Sequence, residues 1–364
     1  MAKHKGGAHS SSSAQVVHTA QGDLYKVRKK RRRKPRALII VLLVLLALLL
    51  AVGAAFGLYV NKLQNNMAYE GEALTVLEDV QDEKSQPFYA LIIGVDEHAD
   101  EDSGRSDIMI LARVDLSEPQ VTLVTVPRDT PYTLDGEKVK LNEVNHRYGE
   151  AACVKAVSDF TGVPISHFVS IEFDELVEVV DSMGGVMVDV PYTIERNGVV
   201  VEAGPQLLNG EQALALSRAR KIYGDMTDVP GDTVRQANVR AIFTAIVKNV
   251  LEAPAAEIPG RIQELSSMVK TDVPVSEMVD WANQIRTNGN LKIYSVTGPV
   301  NGDYDENGVW YAYEQPEQWA ELMAIVDSGE DPTEYAKSIQ EEVYSDEGVD
   351  VNTTSEVESS SSTE

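Results

Sequence analysis

One apolar run, "ALIIVLLVLLALLLAVGAAFGLYV" (residues 37–60), limits this chain more than any other feature, because it holds no charged residue at all. As a helix rising 1.5 Å per residue it reaches about 36 Å, enough to cross a bilayer with some tilt. Directly before it stands "KVRKKRRRK", a strong cytoplasmic anchor under the positive-inside rule. Such a run also suits nucleic acid or a targeting address. Its place against a membrane-length span assigns it to topology, and no nucleic-acid partner is expected. A cleaved signal peptide is the alternative, since "AVGAAF" offers small residues. Against that, the apolar run is long for a signal and the leading segment is long for its basic region. The expected topology is single-pass, with residues 1–36 cytoplasmic, 37–60 transmembrane, and the rest outside the cytoplasm.

Charge supports this division. The chain carries a net charge of -25, yet residues 1–36 hold eleven Lys/Arg against one Asp, so the remainder sums to about -35. Residues 61–85 are polar with scattered aliphatics and read as a stalk. Residues 86–327 have globular composition. From 328 the chain turns acidic and serine-rich, which predicts a disordered tail. Cys153 is the one cysteine, which excludes an intramolecular disulfide, and its helix-like surroundings make it a small core hydrophobe.

Within the globular part, β-rich runs at 88–94, 108–115 and 120–127 precede a helix at 150–161 and a strand at 167–172. A helical face follows at 173–183, then a strand in "GGVMVDVP", helices in "NGEQALALS" and at 235–250, and a strand in "LKIYSV". Strands alternating with helices predict an α/β fold, an α/β/α sandwich around a mixed central sheet.

No Walker A, G-x-G-x-x-G, G-x-S-x-G, H-E-x-x-H or C-x-x-C pattern occurs, and the six histidines form no ligand-spaced cluster. His98 and His146 read as solvated or structural. Aspartates and arginines say more. The segment "GVDEHADEDSGRSD" (94–107) interrupts two apolar runs with carboxylates and one arginine. Runs 108–115 and 120–127 are equal in length and joined by "LSEP", which predicts an antiparallel hairpin. Its paired positions sum to 235, placing Asp107 opposite Arg128. If the first strand lies antiparallel to the second, Asp96, Arg105, Asp107, Arg128 and Asp129 meet at one edge. By geometry alone such a set reads equally as a surface salt-bridge cluster or as a site. In "LALSRARKIYGD", Arg218 and Arg220 point apart on a helix and together in an extended segment. Both can serve one site only if the helix ends near Ser217; otherwise they are a basic helix end. Clustered arginines in so acidic a domain suit a diphosphate, and paired carboxylates beside it suit Mg²⁺.

These residues resemble a known family. "LIIGVDEHADEDSGRSDIMILARVD", "VTLVTVPRDT", "VKLNEVNHRYG", "SMGGVMVDVP" and "LNGEQALALSRARK" are similar, in order, to the blocks of the LytR–CpsA–Psr family over roughly residues 86–250. The resemblance implies a membrane-anchored phosphotransferase of a Gram-positive-type cell envelope. It would move an anionic glycopolymer, such as teichoic acid or capsule, from an undecaprenyl-diphosphate carrier to peptidoglycan. It implies Asp96 and Asp107 as Mg²⁺ ligands, and Arg105, Arg128, Arg218 and Arg220 as diphosphate contacts, with Lys140 and Asn142 weaker members of that surface. Asp96, Arg105 and Asp107 form the expected catalytic set, with Asp96 the choice for assisting deprotonation. One block departs. Aligning the family's G-D-x-x-R-x-x-R-Q on Arg235–Gln236 carries both over as further diphosphate contacts but puts Asp232 where an arginine is expected, unless a loop lengthened by "IYGDMTDVP" lets Arg235 take that place. Residues 251–326 match no block, and no role is read for them. The competing functions are a hydrolase using the same site and a non-enzymatic lipid-phosphate-binding regulator.

Overall fold

Apolar residues on both faces of the early strands require a sheet covered on both sides. In the computed structural model, which describes residues 36–95, 104–172, 175–224, 231–254, 256–266, 268–343 and 355–356, that is the arrangement found. The chain divides by packing after Gly57. In the first unit runs most of helix α1 (Arg36–Met67), whose leucines at positions 46, 48, 49 and 50 are exposed. Among the described residues it is the one helix long and apolar enough to cross a membrane.

The second unit comprises, in order, strands β1 (Phe88–Val95), β2 (Ser106–Asp115), β3 (Gln120–Thr125), β4 (Pro131–Leu134) and β5 (Glu137–Lys140), helices α2 (Leu141–Tyr148) and α3 (Glu150–Thr161), then β6 (His167–Glu172) and α4 (Leu176–Ser182). Strands β7 (Val186–Val190), β8 (Ile194–Arg196), β9 (Val199–Val201) and β10 (Gly204–Leu208) precede helices α5 (Gly210–Ser217), α6 (Lys221–Gly224), α7 (Gly231–Glu252) and α8 (Ile258–Leu265). The remainder is β11 (Val269–Thr271), α9 (Val275–Asn288), β12 (Lys292–Thr297), β13 (Val300–Tyr304), β14 (Trp310–Glu314), α10 (Pro316–Ser328), α11 (Thr333–Val343) and β15 (Ser355–Glu356). The main sheet has the order β11-β6-β1-β2-β3-β12-β15. It is mixed: β1 runs antiparallel to β2 and parallel to β6, while β3 runs parallel to β12.

Strand alternation sorts the core. Ile108, Ile110 and Ala112 of β2 join the cluster built on α4, α5, α7 and α8, whereas Met109 and Leu111 join that of α2, α3 and α10. This is the expected α/β/α sandwich. The β2–β3 register is also as expected, from Ile110↔Thr125 to Asp115↔Gln120. Cys153 is buried, its thiol pushed up to about 12 by burial, as a core residue should be.

Two boundary expectations need correction. The segment read as a stalk begins inside α1, where Leu63 and Met67, one turn apart, are buried in the second unit. Gln64 Oε1 there accepts the Val275 N–H at 2.7 Å. The segment read as a disordered tail contains α11, whose Thr333, Ala336 and Ile339 are buried. Average composition over 328–364 concealed an apolar stripe at helical spacing.

The segment leading to β1 is tied down by a histidine. His167 Nε2 lies 2.8 Å from Glu83 Oε1 and its Nδ1 2.7 Å from Asp272 Oδ2, with Phe88 and Trp281 packed around the ring. Burial opposes protonation, but hydrogen bonding and charge from Asp272 and Glu83 raise the histidine's pKa. A raised folded-state pKa gives stability that is complete below the ordinary value of about 6.5 and is lost as pH rises through the folded value. Melting in detergent should therefore fall by about 2–4 °C from about pH 6 to about pH 9. In His167→Gln that slope should flatten, and an identical slope in both proteins would refute the assignment.

Candidate active site

The expected hairpin register brings its consequence. Arg128, three residues past β3, donates from Nη1 to Asp107 Oδ1 at the open end of the hairpin. Asp107 marks the start of β2, and its N–H donates to Arg105 O at 3.1 Å, so Arg105 enters the same edge. Lys140, at the end of β5, places Nζ 2.9 Å from Asp129 Oδ1. Asn142 is buried and its N–H donates to Arg128 O at 3.0 Å, so it fixes the backbone that carries Arg128. Asp96 lies outside the described residues.

The second arginine set arrives from the other layer. An Asn209–Gln212 capping box starts α5, which ends at Ser217, the condition under which both arginines can serve one site. Arg218 is the C-cap, and its carbonyl accepts from Arg196 Nη1 at 3.0 Å. Arg220 follows, half exposed, with Nε 3.6 Å from Asp232 Oδ1. Helix α7 begins at Gly231, so Asp232 sits in its first turn, where the macrodipole favours a carboxylate. The helix is anchored by Arg240, fully buried, whose Nε donates to Ser295 Oγ at 2.8 Å and whose Nη1 donates to Thr125 Oγ1. Burial pushes that guanidinium down to about 9.

Asp232 is the hub that sequence reading left as a mismatch. Its Oδ1 lies 2.8 Å from Arg235 Nη2, and its Oδ2 accepts from Gln236 Nε2 at 2.7 Å and lies 3.4 Å from Arg128 Nε. Burial alone would raise this carboxyl, but Arg235, Arg128, the Gln236 hydrogen bond and Arg220 hold it at about 2. Arg235 Nη2 also donates to Asp107 O at 3.0 Å, closing the ring back to β2. Arg128 is in turn pushed above its ordinary range: burial acts against it, but Asp232, Asp107 and Asp129 outweigh burial.

Beside the alignment on Arg235–Gln236, the sequence offers a second one at the start of α7. With Gly231 and Asp232 opening α7, they take the G-D of G-D-x-x-R-x-x-R-Q directly. Arg235 then stands at the first arginine and Asn238 at the second. Asn238 is buried and donates to the Tyr223 hydroxyl at 3.0 Å, so it contributes no charge to the cluster. A model of the LytR_cpsA_psr family matches residues 56–324. The chain belongs to this family.

The match extends well past residue 250, and the structure agrees. Ala312 N–H of β14 donates to Asp129 O at 3.1 Å, and Val300, Gly302 and Trp310 line a pocket with Arg128, Asp232 and Gln236. No local motif marks these residues; a short aromatic-rich stretch, "VWYAYE", was the available signal. Two family members with assigned names are similar over much of the chain. TagU of Halalkalibacterium halodurans, a polyisoprenyl-teichoic acid–peptidoglycan teichoic acid transferase, is 32% identical over 220 residues, covering 58% of this chain and 70% of that one. TagV of Bacillus subtilis, named for the same transfer, is 31% identical over 220 residues, covering 57% of this chain and 55% of its own. The chain thus spans just over half of TagV. The crystal structure of B. subtilis TagV superposes with a TM-score of 0.58 at 25% identity, over 72% of this chain and 100% of that one. A structure of TagT bound to LIIa-WTA gives 0.54 at 19% identity, over 75% and 97%, and shows a shared fold.

A metal can be weighed on the donor set. Among the described residues no three His, Cys, Asp or Glu side chains cluster to hold one. Mg²⁺ needs less, since it commonly takes one or two carboxylates and completes its shell with phosphate oxygens and water. Asp107 fits that role with a side chain 38% exposed beside the arginines.

Proposed function

We propose that this protein transfers an anionic glycopolymer, such as teichoic acid or a capsular polymer, from an undecaprenyl-diphosphate carrier to a hydroxyl of peptidoglycan. One observation carries the reading: three guanidiniums, of Arg128, Arg220 and Arg235, converge within 2.8–3.6 Å of a single buried carboxylate. Asp232 is held as a phosphate oxygen would be held, and it keeps the cations oriented before any ligand arrives. The names of TagU and TagV supply the chemistry of donor and acceptor.

In this reading Arg105, Arg128, Arg218, Arg220, Arg235 and Lys140 bind the diphosphate, while Gln236, expected among them, spends its amide nitrogen on Asp232; Asp96 with Asp107 would hold Mg²⁺, which supplies neutralising charge on the phosphates. The acceptor oxygen attacks the phosphorus that bears the polymer. The bond from that phosphorus to the bridging oxygen breaks, a phosphodiester forms, and undecaprenyl phosphate leaves with the bond's electrons. The hydroxyl proton is lost late, to solvent water or to Asp96, because such transition states need little base assistance. Of the described carboxylates, Asp232 is too acidic to take it, and Asp107 and Asp129 are tied to Arg128 and Lys140. Fixed cations lower the barrier by stabilising charge that develops on the leaving group. The apolar helix, with its basic residues on the cytoplasmic side, places the domain outside the cell and keeps it near a lipid-borne donor, raising effective concentration.

The test uses a radiolabelled undecaprenyl-diphosphate-linked polymer with the full chain in detergent. Label should enter peptidoglycan. Release of free polymer phosphate alone would replace this reading with a hydrolase, and no turnover at all would leave a binding protein.

A further inference from the structure

A two-stranded ribbon, β13–β14, rises from the end of β12 and borders the arginine cluster. Cross-strand pairs put Val300, Gly302, Tyr304, Trp310, Ala312 and Glu314 on one face and Asn301, Asp303, Tyr311 and Tyr313 on the other. The two faces are used differently. Tyr311 and Tyr313 are taken: Lys138 Nζ lies 3.9 Å and 5.1 Å from their ring centroids. On the first face Trp310 lies across Gly302, where a Cβ would come within 2.6 Å of the indole, so glycine is needed there. The indole lines the pocket that Arg128, Asp129, Asp232 and Gln236 also line. Tyr304, the direct partner of Trp310, is 65% exposed. Gln236, only 4% exposed, has its amide nitrogen on Asp232, while its Oε1 is buried and meets no donor among the described residues.

We propose that this face is a glycan-binding platform, on which Tyr304 and Trp310 stack neutral sugar rings of the acceptor while Gln236 Oε1 accepts a sugar hydroxyl. The inference rests on the transferase reading and names which substrate lies on which side of the site. Sugar rings present C–H faces that match the electron-rich faces of aromatic rings, and an unpaired buried acceptor requires a donor. Charge chooses between the two substrates. Residues 299–317, "PVNGDYDENGVWYAYEQPE", carry five carboxylates and no lysine or arginine. An anionic polymer is repelled from such a surface, whereas uncharged N-acyl sugars are not. The ribbon therefore serves the peptidoglycan strand, and the arginine cluster serves the donor diphosphate.

Titration calorimetry of the full-length protein in detergent tests this with a soluble, uncrosslinked peptidoglycan glycan fragment. Tyr304→Ala should weaken glycan binding about three- to tenfold, the worth of one aromatic contact, and Trp310→Ala at least as much. Affinity for undecaprenyl diphosphate should be unchanged in Tyr304→Ala. Because Tyr304 is mostly exposed, that variant decides the matter if Trp310→Ala does not fold. Absence of glycan binding in the unaltered protein, unchanged glycan affinity in Tyr304→Ala, or an equal loss of diphosphate affinity would each overturn the platform. The two readings fail separately: an Arg218→Ala/Arg220→Ala protein with normal diphosphate binding sinks the donor site while leaving the glycan titration as it was.

Discussion

An Arg218→Ala/Arg220→Ala double variant is expected to lose transfer by about 10²–10³-fold or more, with its melting temperature moved by no more than about 2 °C. The two effects separate because of where the side chains stand. Arg220 is 50% exposed and its contact with Asp232 is long, at 3.6 Å. Such a pair contributes little to stability, about 0–1 kcal/mol. Its charge still points at the place where phosphate charge would develop. Arg218 caps α5 through its backbone, and alanine retains that backbone. Lysine at both positions should recover part of the activity, since it restores charge without the planar fork that grips two oxygens. Measured transfer from labelled donor at saturating acceptor is the readout. Full activity in the alanine double variant would remove both arginines from the site.

Asp232→Ala should have the opposite signature, a large loss of stability. Its carboxylate is buried against Arg128 and Arg235, and removing one partner of a buried charge group costs about 3–5 kcal/mol. Both guanidiniums keep other acceptors, Asp107 and Asp129 for Arg128 and the Asp107 carbonyl for Arg235, which favours the lower end. The same group sets an acid limit. A folded pKa of about 2 against an unfolded value of about 3.9 gives stability of about 2–3 kcal/mol. It is fully present above the unfolded value and is lost as pH falls from about 4 towards 2. Urea unfolding of the full chain in detergent near neutral pH measures the first effect. The acid limb of the melting curve measures the second, and it should be shallower in Asp232→Ala. A variant as stable as the original protein, with an unchanged acid limb, would show that Asp232 is not the counter-ion of the cluster.

How far the site was legible depended on the distance over which each contact is made. Asp107 and Arg128 belong to one hairpin, whose register follows from equal strand lengths and a short turn, so their meeting could be read residue by residue. The end of α5 at Ser217 was legible only as a condition, since two arginines at i and i+2 share a direction only off a helix and a basic helix end was the other reading. Asp232 was visible as a mismatch but not as a hub. Its partners come from β3's end, the α5–α6 junction and α7, and no spacing within any of them announces the others. The β13–β14 ribbon lay further out of reach: its place beside Arg128 rests on long-range contacts, among them the backbone hydrogen bond from Ala312 to Asp129 across 183 positions and Lys138 against Tyr311.

By itself the sequence determined the properties that depend on local pattern: a membrane-length helix after a basic segment, strands buried on both faces, and a hairpin with Asp107 facing Arg128. It also determined the family, through ordered blocks. The tertiary structure alone decided that Asp232 neutralises the arginines that surround it, that Asn238 turns to Tyr223 instead of the cluster, and that an aromatic ribbon joins the site. The physical reason is the same for all three. Buried charges and ring faces acquire meaning only from the neighbours that desolvate and pair them, and those neighbours come from distant parts of the chain.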